Sequence, residues 1–171
     1  MSHRTYHGYK PFQKKLYLES DKKAKQVVSS FLESTGRFIL DTPIEQQKES
    51  FSTRDFEIRH IPTQKLISVE AEQKLVWTEE GKWQSWFSSG VDIPYRKIKS
   101  KADLFVMINK SGNTLLTIPM KVVKNSELIH KDTKIKGSNT KTKQEPFFRV
   151  SLSHEKLRMY HKKNGTWSRL S

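Results

Sequence analysis

Apolar residues recur along the chain in two rhythms, and the first is helical. Ala24, Val27, Val28 and Phe31 fall at i, i+3, i+4 and i+7, and Leu32 extends the stripe. That spacing predicts one amphipathic helix with a buried face. Ser20 is placed to cap its start, Asp21 to complement its positive end and Gly36 to stop it. Beyond Gly36 the rhythm shortens to alternation. Arg37 to Leu40 reads as a short strand. Asp55 to His60 reads as a second, with Phe56 and Ile58 set between Asp55, Glu57 and Arg59. After a turn at Pro62-Thr63-Gln64, Lys65 to about Val76 forms a third. Its period of two puts Leu66, Ser68, Glu70, Glu72 and Lys74 on one face and Ile67, Val69, Ala71 and Gln73 on the other.

The rest of the pattern is more broken. Trp77 to Phe87 is predicted as a short helix or structured loop, and Val91 to Lys97 as an edge strand, because Pro94 would interrupt a central ladder. Leu104 to Ile108 reads as a buried strand, followed by a turn at Ser111-Gly112-Asn113 and a strand from Thr114 to Val123. Lys131 to Lys143 carries almost no apolar residue and reads as a mobile loop. Phe147 to Leu152 is a further strand, and Leu157 and Tyr160, three apart, predict a short helix from Ser153 to about His161. With no internal repeat, the chain divides into an irregular basic arm over 1–15 and a single α/β domain over 16–171. That domain has one sheet and few helices, a core over 20–76 and a basic strand and loop region over 91–152.

Composition narrows the partners. The 171 residues suit one domain, and nine Phe, five Tyr and four Trp supply its core although only 34% of residues are hydrophobic. Cysteine is absent, which excludes disulfides, thiolate nucleophiles and cysteine zinc sites. The longest apolar run, Leu104 to Ile108, is far short of the roughly 20 residues that span a bilayer. The first fifteen residues hold no apolar signal segment. An intracellular, cytoplasmic protein without a membrane partner is expected. The net charge of +14 points to a polyanion, and between Arg96 and Lys143 twelve Lys or Arg face three acids. Arg96, Lys97, Lys99 and Lys101, then Lys134, Lys136, Lys141 and Lys143, are the expected nucleic-acid contacts, through phosphates and hence salt-sensitive.

Candidate chemistry concentrates on the third strand. Glu70 and Glu72 leave one face about 6–7 Å apart along the chain, with Lys74 beyond them. An antiparallel return brings Asp55 beside Glu70. Carboxylates converging there form a hard, oxygen-only site suited to Mg²⁺, which can lower the pKa of water and stabilise charge developing on a phosphodiester. The bland alternative is that Glu70 and Glu72 simply line a solvated sheet face. Asp103 and Lys121 offer a competing arrangement on later strands, but Pro119 stands there in place of the second carboxylate. His60 and His130 are the histidines weighed as a general base. Trp77, Trp83 and Trp86 are expected in the core before any role in base stacking.

A helix followed by three strands, with Asp55 opening the second and Glu70-Ala71-Glu72 on the third, resembles the PD-(D/E)XK nuclease superfamily over about Ser20 to Val76. The resemblance implies a restriction-endonuclease-like fold, a central mixed β-sheet flanked by helices with basic C-terminal strands and a loop added. It implies a DNA endonuclease dependent on Mg²⁺ or Mn²⁺. Asp55 and Glu70, with the Ala71 carbonyl, would hold the ion. Glu72, at the position where lysine is usual, would orient or deprotonate the attacking water, and Lys74 would neutralise the scissile phosphate. Arg54 replaces the common proline before the Asp. On the helix Gln26 stands where an acid is frequent, with Asp21 and Glu33 as the nearby acidic candidates. Cleavage of both strands needs two sites, which a homodimer would supply, and the composition suits a phage or mobile-element protein. Two alternatives are a nuclease-fold DNA-binding protein without catalysis and a basic RNA-binding or structural protein of unrelated α+β fold.

Overall fold

The computed structural model describes residues 14–47, 55–134 and 142–170, so the first thirteen residues of the expected arm lie outside it. Helix α1 (Lys14–Ser34) opens the described chain. It starts six residues before the expected cap, so Ser20 and Asp21 stand inside the helix rather than at its end. The Ser20 hydroxyl donates to Gln73 Oε1 at 2.9 Å, and Asp21 pairs with Lys25 one turn on, at 2.9 Å. The predicted stripe is the buried one: Ala24, Val28, Phe31 and Leu32 are each no more than 3% exposed. Burial of the larger three contributes about 1.5–3 kcal/mol each, and this holds a helix whose other faces are charged. Gly36 ends it at φ +76°, its N–H donating to the Glu33 carbonyl at 3.0 Å.

Strands β1 (Phe38–Ile39), β2 (Phe56–His60) and β3 (Lys65–Gln73) follow as an antiparallel meander. The β2–β3 turn falls at 61–64, with Gln64 in the left-handed region at φ 61°. Strands β5 (Leu104–Ile108), β6 (Thr114–Pro119), β9 (Arg158–Lys163) and β10 (Thr166–Arg169) complete a seven-stranded sheet of order β1-β2-β3-β5-β6-β9-β10. Every pair is antiparallel except β3–β5. Parallel neighbours require a crossover over one face of the sheet. Here residues 74–103 make it, through a 3₁₀ turn at Ser85–Ser89, strand β4 (Val91–Pro94) and a 3₁₀ turn at Tyr95–Lys99.

The two faces of the sheet are covered differently. Helix α1 covers one, where Val69, Ala71, Val106, Ile108 and Leu115 close over its stripe. The opposite face meets a second sheet rather than helices: β4, β8 (Thr142–Val150) and β7 (Glu127–Lys134), in the order β4-β8-β7. Val91, Ile93, Phe148 and Val150 of that sheet pack with Phe105, Met107, Leu116 and Ile118 and with short helix α2 (Met120–Lys124). The mixed α/β architecture agrees with the sequence reading, but only one face is flanked by a long helix.

Several local expectations are corrected. Val91–Lys97 is a strand only as far as Pro94, and Thr114–Val123 only as far as Pro119. In both, the chain leaves a proline in extended geometry and turns helically. The helix expected over 153–161 is absent: 153–157 are turns that end on buried Leu157, and β9 begins at Arg158, with Met159 buried within it. Its hairpin with β10 turns through Asn164-Gly165, both at positive φ. The expected loop at Lys131–Lys143 is paired strand at each end, Lys134 lying opposite Thr142 and Lys143 opposite Thr133. Residues 135–141, with Lys136 and Lys141, lie outside the described residues.

Candidate active site

Strand β3 runs past the end of β2, and that overhang shapes the site. Phe56 is paired with Val69, so Ala71 has no partner farther along β2. The Asp55 carboxylate takes its place: the Ala71 N–H donates to Asp55 Oδ2 at 2.7 Å, while the Asp55 N–H donates to the Val69 carbonyl at 2.9 Å. Asp55 is thereby fixed at the corner of the sheet. Glu70 and Glu72 point to the face opposite α1, at the register of Phe105 and Met107.

These groups open into one cavity of about 370 Å³, lined by Ser20, Asp21, Asp55, Glu70–Gln73, Arg96 and Lys97. Helix α1 contributes Asp21, β2 leads from Asp55, and β3 contributes Glu70 and Glu72. The crossover brings Arg96 and Lys97 to the same cavity. Of the two acids weighed on the helix, Asp21 reaches it. Glu33 does not: its carboxylate accepts the Leu40 N–H at 3.3 Å.

Charge inside the cavity is unevenly balanced. Burial pushes the Asp55 carboxyl up to about 6 from 3.8; the Ala71 N–H pulls the other way, Asp21 and Glu70 push it further up and Lys25 offsets them in part. Glu70 is held by the crossover. Lys97 Nζ donates to its Oε1 and the Ser100 hydroxyl to its Oε2 at 2.7 Å. Sequence reasoning missed Ser100 as part of the site, because no local pattern links it to Glu70, 30 positions away.

The remaining candidates are scattered. Lys74 pairs with Glu72 at 3.7 Å and does not line the cavity. Lys99, the last residue of the 3₁₀ turn, and Lys101, just past it, are exposed. Lys134 and Lys143 stand at the far end of the β7–β8 ribbon. Asp103 accepts the Ser68 N–H at 2.9 Å, and Lys121 belongs to α2 rather than to a strand, so the competing arrangement has no second acid. His60 is bonded to Thr63 at the β2–β3 turn, and His130 is exposed on β7. Trp77 is fully buried, edge-on to Phe87.

The donors fit a hard divalent cation by type: four carboxylates and a backbone carbonyl, all oxygen. Repulsion of Asp55 by Asp21 and Glu70 is what such an ion would relieve. Among the described residues, no three acid or imidazole groups are gathered closely enough to hold an ion as they stand. Glu70 would have to exchange its crossover partners for it. Compared with protein families, curated proteins and solved structures, the chain matches none.

Proposed function

We propose that the protein is a divalent-metal-dependent DNA endonuclease of divergent PD-(D/E)XK type. The observation that carries this reading is the convergence of Asp21, Asp55, Glu70 and Glu72 on one cavity that Arg96 and Lys97 also line. Asp55 and Glu70, with Asp21 and the Ala71 carbonyl, would hold Mg²⁺ or Mn²⁺. The ion supplies Lewis acidity, which lowers the pKa of water and offsets charge on the phosphodiester. Arg96 and Lys97 bind phosphate oxygens of the strand and fix it along the cavity. Glu72 accepts a hydrogen bond from the attacking water and can receive its proton, while Lys74 pairs with the Glu72 carboxylate at 3.7 Å. DNA is the partner, gripped through the basic residues of the crossover and of the ribbon, and a homodimer would supply the second site for a duplex.

The test is cleavage of supercoiled and linear plasmid with Mg²⁺, Mn²⁺ or EDTA, by the native chain and by Glu70→Ala. Metal-dependent nicking lost in the variant is the expected result. A second reading, a DNA-binding protein of the same fold without catalysis, is favoured by the engagement of both Glu70 oxygens within the chain. It predicts no cleavage with any metal and salt-sensitive DNA binding that Glu70→Ala leaves unchanged.

A further inference from the structure

Lys97 is not placed as a surface lysine. Its side chain is 17% exposed and that of Glu70 13%, and the 3₁₀ turn Tyr95–Lys99 carries it back onto β3 across the cavity. Ser100 fastens the other Glu70 oxygen from the same segment. Such a shielded pair persists because either partner alone would be costly. A divalent cation changes that balance. It takes over the neutralisation of Glu70 and leaves an ammonium group unpaired inside the same cavity, beside Arg96. A phosphate oxygen is the ligand that then satisfies it.

We propose that Lys97 is the cavity's own counter-cation, seated on Glu70 until a divalent cation displaces it and then released to a phosphodiester oxygen, so that cation and phosphodiester bind cooperatively. This rests on the reading of the cavity as a divalent-cation site at Asp55 and Glu70. Linkage makes the effect reciprocal: whatever factor the cation adds to phosphodiester affinity, the phosphodiester adds to cation affinity.

The experiment is calorimetric titration of the full chain with Mg²⁺ at constant ionic strength, with and without dimethyl phosphate, an isolated phosphodiester. The native chain is expected to bind Mg²⁺ at least about fivefold more tightly when dimethyl phosphate is present. Lys97→Met is expected to bind Mg²⁺ about tenfold more tightly alone, because Glu70 Oε1 has lost its counter-cation, and to gain nothing from dimethyl phosphate. Arg96→Met removes an equal charge without touching Glu70 and should tighten Mg²⁺ less. Lys97→Arg, whose planar fork can take both Glu70 oxygens, should keep the fold and bind Mg²⁺ more weakly. Equal tightening in the two Met variants, or coupling that survives Lys97→Met, overturns the proposal while leaving the cation site intact. Should Lys97→Met not fold, absence of coupling in the native chain or unchanged Mg²⁺ affinity in Lys97→Arg overturns it. Absence of Mg²⁺ binding in the native chain removes the cation site, and this proposal with it.

Discussion

Asp55 and Asp92 are both shielded carboxylates, and they tilt stability in opposite directions. Asp55 is protonated more readily in the folded chain, at about 6 against 3.8. Between pH 4 and 6 the native state therefore holds a proton that the unfolded chain has released, and stability falls as pH rises through that window, by up to about 3 kcal/mol. Asp55→Asn keeps an acceptor for the Ala71 N–H but removes the charge. It is expected to stabilise the chain by about 1–3 kcal/mol above pH 6 and to flatten the slope below it. Urea denaturation at pH 4, 5, 7 and 8 measures both. On the proposed function, metal-dependent cleavage should move the other way, absent in Asp55→Asn and lost in the native chain as pH falls below about 6.

Asp92 shows the contrasting case. Burial raises its carboxyl, but Arg149 and Lys131, bonded to it at 2.8–3.0 Å, outweigh burial and lower it overall. Its stabilisation is present above the ordinary carboxylate range and is lost only as pH falls below about 4. Asp92→Asn leaves Arg149 and Lys131 without their anion. It should lower stability at pH 7 by about 1–3 kcal/mol, read from the urea midpoint, with cleavage per folded molecule unchanged.

Among the elements, legibility follows locality. The α1 stripe, the Gly36 stop and the β2–β3 hairpin each depend on neighbours within a few residues, and each stands where the periodicity puts it. The start of α1 was not legible. Ser20 has a cap's chemistry, but a strand 53 residues away supplies Gln73 as its partner. Polarity similarly misled at Lys131–Lys143, because β7 has β8 on one side only and needs few apolar residues. The 153–161 error had a readable remedy: Asn164-Gly165 is a hairpin signal, and Leu157, Met159 and His161 alternate up to it. At the site, Asp55 and Glu70 could be read from element order, whereas the partners of Glu70 depend on how the crossover lies. That crossover has its own tight point. Gly90 has φ +125°, and a Cβ there would stand 2.6 Å from the Val150 carbonyl oxygen. Gly90→Ala should therefore cost at least about 2 kcal/mol and lower the melting temperature by several degrees.

Across the whole molecule, the charge of +14 bears on association with polyanions rather than on the fold, and on the proposed function the polyanion is DNA. Binding to a short duplex should weaken steeply with salt. Neutralising Lys99 or Lys101 by Ala should lower the slope of log affinity against log salt by about one each if each meets a phosphate. Filter binding from 50 to 300 mM salt measures it, and an unchanged slope would remove those two residues from the interface. No helix among the described residues is long and apolar enough to cross a membrane.

The order β1-β2-β3-β5-β6-β9-β10 also divides the chain at one seam. Among the described residues, β3–β5 is the strand pairing that joins the meander before the crossover to the strands after it. The carboxylates of the cavity all precede that crossover's exposed start, and Arg96 and Lys97 follow it. A chain nicked at Glu80, which is exposed, would be two polypeptides, one holding the four acids that line the cavity and the other Arg96 and Lys97. On the proposed function, cleavage recovered on mixing them would then count rejoined molecules and report complementation between the halves.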